Sequence, residues 1–318
     1  MKIRSFLKLV EIQTKVASMT PFLFGTVFAF FRYRQFDLLN FLLMLISLLS
    51  FDMATTSINN YLDYKKAKKT KGFGYENHNA IVRDNLKETT VLAVISLLLI
   101  IAVVFGILLT FHTSPVVLIV GMISFAVGIL YTFGPVPISR MPLGEFFSGL
   151  FMGFVILFLS VSIHTVNSSA GNLVQVAFRD GLLDLRVNLR ELLLLFLVAW
   201  PATACTANIM LANNICDMED DLENKRYTLP IYIGKPKALT LFRCLYCSAF
   251  VDIVLLLILR VLPLTAIPVL LTLIPVRKNI GDFMKLQTKK DTFVVAIKNF
   301  LLINVSLILF VAVGIRIG

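Results

Sequence analysis

Five of the chain's 19 acidic residues crowd into 217–223 (Asp217, Glu219, Asp220, Asp221 and Glu223), and Lys225 and Arg226 follow directly. Positions four apart share a helical face, so Asn213, Asp217 and Asp221 are expected to form one polar stripe. A shorter stripe, Asn59 and Asp63, stands 154 residues earlier, and both sit in the same pattern: Asn59-Asn60-Tyr61-Leu62-Asp63 and Asn213-Asn214-Ile215-Cys216-Asp217. Carboxylates at this spacing repel, and they are costly beside apolar segments unless they hold something positive. An oxygen-only Asp/Asn set suits a hard divalent cation. Mg²⁺ in particular keeps waters and bridges a few carboxylates to phosphate oxygens. The neighbouring cations fit that chemistry, because Lys225 and Arg226 on one side and Lys65, Lys66, Lys68, Lys69, Lys71 and Arg83 on the other can neutralise a polyphosphate. The lysine run reads equally as a juxtamembrane cluster for anionic lipid headgroups.

The elements that must position these residues follow from composition. Of 318 residues, 58% are hydrophobic and only 15% charged, with a mean hydropathy of +0.85, which excludes an ordinary soluble domain and makes the chain a polytopic membrane protein. Candidate spans lie at 17–32, 37–60, 90–111, 115–133, 143–164, 192–214, 238–259, 261–276 and 292–315. All are expected to be helices, giving an all-α bundle of about nine transmembrane helices and a single integral-membrane domain over 1–318. The charged start MKIRSFLK, with no small-residue cleavage signal after it, reads as a retained first helix. With the N-terminus in the cytoplasm, 23 of the 30 basic residues fall on the cytoplasmic side and 7 on the other, so the positive-inside rule favours that orientation. The net charge of +11 is therefore a topology signal and not a nucleic-acid footprint. Both Asn-Asn-x-x-Asp segments then end out-to-in helices, the second and the sixth, as two similarly oriented repeats facing one site would have them.

These motifs resemble the UbiA superfamily of membrane prenyltransferases, whose members carry N-D-x-x-D-x-x-x-D after the second helix and D-x-x-x-D after the sixth. The second motif stands intact as Asp217-Met218-Glu219-Asp220-Asp221. Its continuation, NNICDMEDDLENKRYTLPIYIG over 213–234, is most similar to the branch that prenylates 1,4-dihydroxy-2-naphthoate on the way to menaquinone. So are NAIVRDNL at 79–86 and YTFGPVPISRMPLGE at 131–145. The first motif departs from the pattern, with Asn60 and Ala67 where aspartates are usual, so only Asp63 remains as a carboxylate there.

The resemblance implies catalytic roles for Asp63, Asp217 and Asp221, and a Mg²⁺ ligand set of Asn60, Asp63, Asp217 and Asp221. It also implies substrate contacts from Asn59, Lys65, Lys66, Arg83, Tyr131, Arg140, Asn213, Lys225 and Arg226. The implied partners are a polyprenyl diphosphate, an aromatic acceptor and membrane lipid, with the active site on the cytoplasmic side of the cell membrane. Another aromatic acceptor, such as 4-hydroxybenzoate or haem, is the rival within the enzyme class. A repeat-built secondary transporter, for which Asp52 and Asp252 are natural, is the rival outside it. Asp52 either extends the polar site into the membrane or is a solvated interior acid. Arg140 and Glu145 read equally as an ion pair or cap and as substrate-binding groups. Cys244-x-x-Cys247 lacks the context of a redox motif, and His78, His112 and His164 lack metal-ligand spacing.

Overall fold

Backbone that leaves water must satisfy its own N–H and C=O groups, and this chain does so almost entirely with helices. The structure, a computed structural model, describes residues 1–66, 79–134, 137–166, 168, 173–179 and 182–317. Lys68, Lys69, Lys71 and His78, and the side chain of Lys66, lie outside the described residues. A short α1 (Ile3–Leu9) leads to a left-handed turn at Glu11 and then α2 (Ile12–Tyr33). The second span is α3 (Leu38–Lys66), followed by a small α4 (Ala80–Arg83) that Asn79 caps by accepting from the Ile81 amide. Next come α5 (Glu88–His112), α6 (Pro115–Thr132) and α7 (Gly144–Ser162). Beyond them lie α8 (Leu189–Cys216), the short α9 (Met218–Glu223) and α10 (Leu229–Ile233), then α11 (Lys235–Ile258), α12 (Leu264–Lys285) and α13 (Val294–Ile317). Nine helices among the described residues are long and apolar enough to span a bilayer, in the places that the hydrophobic runs predict.

The break at 165–190 is not a plain loop. An antiparallel hairpin of β1 (Val174–Arg179) and β2 (Leu182–Val187) forms there, in register from Val174 opposite Val187 to Arg179 opposite Leu182. Its alternating V-Q-V-A-F-R pattern lets Val174 and Val176 pack against the helical core while Gln175 is exposed.

The two halves pack alike. The most extensive helix contacts are α3 with α5 and α8 with α11, so in each half the second spanning helix lies along the third. Four helices per repeat and α13 as a ninth account for the order. The halves meet where α2 packs against the end of α7. Within the second half α7 crosses α8, and two glycines of α7 set the distance. A Cβ on Gly149 would stand 2.9 Å from the Thr203 carbonyl oxygen, and one on Gly153 would stand 2.6 Å from the Thr203 amide nitrogen. Residues 149–155 of α7 are wound as a π-helix at this crossing, a local expansion that is frequent at functional sites. Gly153→Ala is expected to cost about 1–3 kcal/mol of stability by overpacking a contact made with rigid backbone. A thermal-denaturation midpoint in lipid nanodiscs equal to that of the unmodified protein would count against this reading of the helix crossing.

Candidate active site

A cavity of about 640 Å³ lies between α2, α3, α5, α6 and α7. Descending α3 from Asn59 through Thr56, Asp52 and Leu48 to Met44, its wall changes from polar to apolar. Glu11, Ser18 and Tyr131 complete the polar end, whereas Val103, Leu118, Phe125 and Phe151 line the apolar chamber. Phe51 and Phe125 stack there with ring centroids 3.9 Å apart. The Asp52 carboxylate is not simply solvated. It accepts from Ser18 Oγ and pairs with Lys15 Nζ at 2.6 Å, and Lys15 spends its other donors on Thr56 Oγ1 at 2.6 Å and the Asp52 carbonyl at 3.0 Å. Lys15 is 3% exposed, so an ion pair with every ammonium hydrogen used is what makes a buried lysine tolerable here.

The second repeat brings its polar groups to the end of α8. Asp217 pairs with Lys289 at 2.5 Å, and Asp221 stands 3.3 Å from Arg226 Nε while accepting from Thr228 Oγ1 at 3.2 Å. Asp221 is 2% exposed. Burial pushes its carboxyl above the usual carboxylate range, Arg226 pulls it back, and the charge of Asp217 pushes it up again. Tyr131 and residues 138–145 join this cluster to the cavity. Tyr131, on the cavity wall, donates to the Gly144 carbonyl at 3.4 Å, and the next residue, Glu145, accepts from Asn214 Nδ2 at 2.8 Å. Arg226 also reaches the Ser139 carbonyl at 3.4 Å, and the Tyr227 amide donates to the Arg140 carbonyl. Met210 of α8 completes the shared wall.

The residues expected from sequence do not all converge. Asn59 and Tyr131 line the cavity, Asp63 is exposed close to the end of α3, and Asn213, Asp217, Asp221 and Arg226 gather at the end of α8. Lys225 is exposed on a left-handed residue of the loop after α9. Lys65 departs from the expectation of substrate contact: its ammonium pairs with Glu88 at 2.7 Å, where Tyr61 also donates, on the α5 side of α3. Arg83 pairs with Asp84 at 2.7 Å and lines a separate recess with Lys2, Arg4 and Lys8. The side chain of Asn60 is turned away from a ligand role for its nitrogen, which donates to the Leu9 carbonyl at 2.9 Å and to Glu11 at 3.2 Å. Sequence reasoning passed over Glu11, Lys15 and Lys289. Of these, Lys15 carried a signal, since it falls within one turn of the first apolar run, where charge is expensive.

The carboxylates present suit a weakly caged divalent ion. Among the described residues, no three His, Cys, Asp or Glu side chains converge as a closed ligand set. A cation held by Asp217 and Asp221 therefore has to complete its shell from water and phosphate oxygens, which is how Mg²⁺ is ordinarily bound.

A cavity graded from polar to apolar with an acid-and-cation cluster beside it, carried by nine spanning helices among the described residues, defines an all-α polytopic membrane protein suited to a ligand with a charged head and an insoluble tail. Residues 18–304 match the UbiA prenyltransferase family. The chain belongs to that family and is a membrane prenyltransferase. It is 34% identical over 250 residues to the 1,4-dihydroxy-2-naphthoate octaprenyltransferase of Bacillus subtilis (strain 168), which covers 78% of this chain and 71% of that one. Among solved structures, a UbiA homolog from Aeropyrum pernix K1 superposes with a TM-score of 0.65 at 16% identity, covering 94% of this chain and 97% of the other. A UbiA homolog from Archaeoglobus fulgidus bound to GPP and Mg²⁺ gives a TM-score of 0.61 at 13% identity, covering 98% and 99%. At these identities the structural likeness establishes the fold.

Proposed function

We propose that the protein transfers a polyprenyl group from an allylic diphosphate to 1,4-dihydroxy-2-naphthoate, with loss of carbon dioxide, to give the demethylmenaquinone skeleton in its quinol form. The carrying observation is the graded cavity: polar at Glu11, Asn59 and Tyr131, next to the Asp217–Asp221 cluster, and apolar beyond. The B. subtilis relative supports the choice of acceptor. Mg²⁺, held by Asp217 and Asp221 on one side and by Asp63 on the other, would supply charge neutralisation of the diphosphate. Arg226, with Lys225 and Lys289 beside it, supplies fixed positive charge where the leaving group develops its own negative charge. The allylic C–O bond breaks with its electron pair going to the diphosphate. The ring carbon bearing the carboxylate then bonds to the allylic carbon, and the carboxylate leaves as carbon dioxide, returning its electron pair to the ring. The apolar chamber excludes water, which would otherwise capture the allylic cation.

The test is product formation by purified protein with Mg²⁺, a polyprenyl diphosphate and each acceptor in turn. Demethylmenaquinol from the naphthoate is expected. Prenylation of 4-hydroxybenzoate without any naphthoate product would overturn the acceptor assignment.

The mouth is assigned to the cytoplasmic side, where diphosphate and magnesium are available, on the strength of the basic-residue asymmetry. In a cysteine-free background, Ser168→Cys is expected to react with an impermeant thiol reagent added outside intact cells, and Lys237→Cys to react only after permeabilisation. The opposite labelling pattern would invert the orientation.

A further inference from the structure

The second asparagine of each Asn-Asn-x-x-Asp segment does the same thing in both halves. Asn60, near the end of α3, donates Nδ2 to Glu11 Oε1 at 3.2 Å; Asn214, near the end of α8, donates Nδ2 to Glu145 Oε1 at 2.8 Å. Glu11 immediately precedes the first spanning helix, Ile12–Tyr33, and Glu145 is the second residue of the fifth, Gly144–Ser162. Each glutamate thus stands at the start of the helix that opens its repeat, and each asparagine at the close of the helix that follows. The amide orientation at Asn60 is set by chemistry, because the Leu9 carbonyl accepts only and the NH₂ group must face it.

Glu145 has an unfilled role, and Glu11 lines the cavity. Glu145 is 5% exposed, and its Oε2, like Asn214 Oδ1 beside it, is buried with no hydrogen-bond partner among the described residues. A carboxylate oxygen buried this way is costly unless a positive species meets it. Glu11 lines the cavity beside Asn59, and its backbone takes the left-handed conformation at φ 47°, uncommon for a residue with a side chain. Strain of that kind persists where surrounding structure imposes it, often at functional sites.

We infer that Glu11 and Glu145 are a repeat-related pair of cation-binding carboxylates facing the diphosphate mouth, and that Asn60 and Asn214 are positioning residues that aim them. The inference rests on the metal-dependent transfer proposed above. It explains how the first repeat works with Asp63 as its only motif carboxylate: the second negative charge comes from the start of α2, outside the motif. It also moves Asn60 from metal ligand to support.

The test is an electron-paramagnetic-resonance titration of Mn²⁺ into the full-length protein in nanodiscs with inorganic diphosphate present. Glu11→Gln and Glu145→Gln each keep a carbonyl oxygen to accept from the asparagine amide and lose only the charge. Each is expected to weaken Mn²⁺ binding about tenfold or more. The exchange Glu145→Gln with Asn214→Asp, which moves the carboxylate across the same hydrogen bond, is expected to recover most of that loss. Glu11 is only partly buried, so Glu11→Gln decides the matter if Glu145→Gln folds poorly. Unmodified Mn²⁺ affinity in the glutamine variants, with weakened affinity in Asp217→Asn, would overturn this inference and leave the metal-dependent reading intact. No Mn²⁺ binding by the unsubstituted protein would overturn both.

Discussion

Asp217→Asn and Asp221→Asn are each expected to lower kcat by on the order of 10²–10³-fold, the usual loss when one preorganised electrostatic group is removed from a site where charge develops. Asparagine preserves shape, and at position 221 it still offers an oxygen to Thr228 Oγ1, now 3.2 Å away. What disappears is the negative charge that would hold the divalent ion and that keeps Lys289 and Arg226 in place, 2.5 and 3.3 Å from the two carboxylates. The two substitutions should not behave alike in folding. Asp221 is the more deeply buried, so neutralising it removes a desolvation cost along with an ion pair, and the melting temperature should change little or rise. Initial rates at saturating substrates, measured beside a thermal melt, separate the two effects. Turnover near that of the unsubstituted protein in both variants would remove Asp217 and Asp221 from the chemistry.

The spanning helices were legible because about 20 apolar residues leave no other structure for the backbone. Their ends were less so. α3 runs on through Asp63 to Lys66 and α8 starts at Leu189, since polar residues continue a helix whose stem is already formed by packing. The Asp217–Asp221 cluster was legible because both carboxylates lie one turn apart on the sequence. Lys289 was not, because its partner is 72 residues away and only the fold of α12 and α13 brings it back. Lys65 shows the limit of reading by proximity. At 100° per residue it stands roughly 200° round the helix from Asp63, and Glu88 of α5 claims it. Glu11 was hidden for a third reason: it reads as part of a charged N-terminus until Asn60, 49 residues on, is seen to hold it. The hairpin at β1 and β2 carried an alternating pattern that the weight of helical signal around it obscured.

Gly121→Phe is expected to divide donors by length. Gly121 lies on the cavity wall in α6, and nothing stands within 4 Å of where its Cβ would be, so a benzyl group there enters the chamber without displacing protein. Gly128, on the same helix and wall, is the contrast: a Cβ there would meet the Phe51 ring at 2.7 Å, so substitution would disturb packing and function together. Filling the chamber at Gly121 leaves the polar end at Glu11, Asn59 and Tyr131 untouched, and it replaces a poor helix former with a better one. A long polyprenyl tail that occupies the chamber therefore loses room, while dimethylallyl diphosphate, which engages the mouth and little else, does not. The ratio of kcat/KM for the long donor to that for the short one should fall at least about tenfold, within the range that apolar pockets achieve by size alone. The measurement is a competition between the two donors, with the products separated by mass. An equal fall for both donors would mean that the phenylalanine acts on the mouth or the fold. No change for either would place the tail outside this chamber.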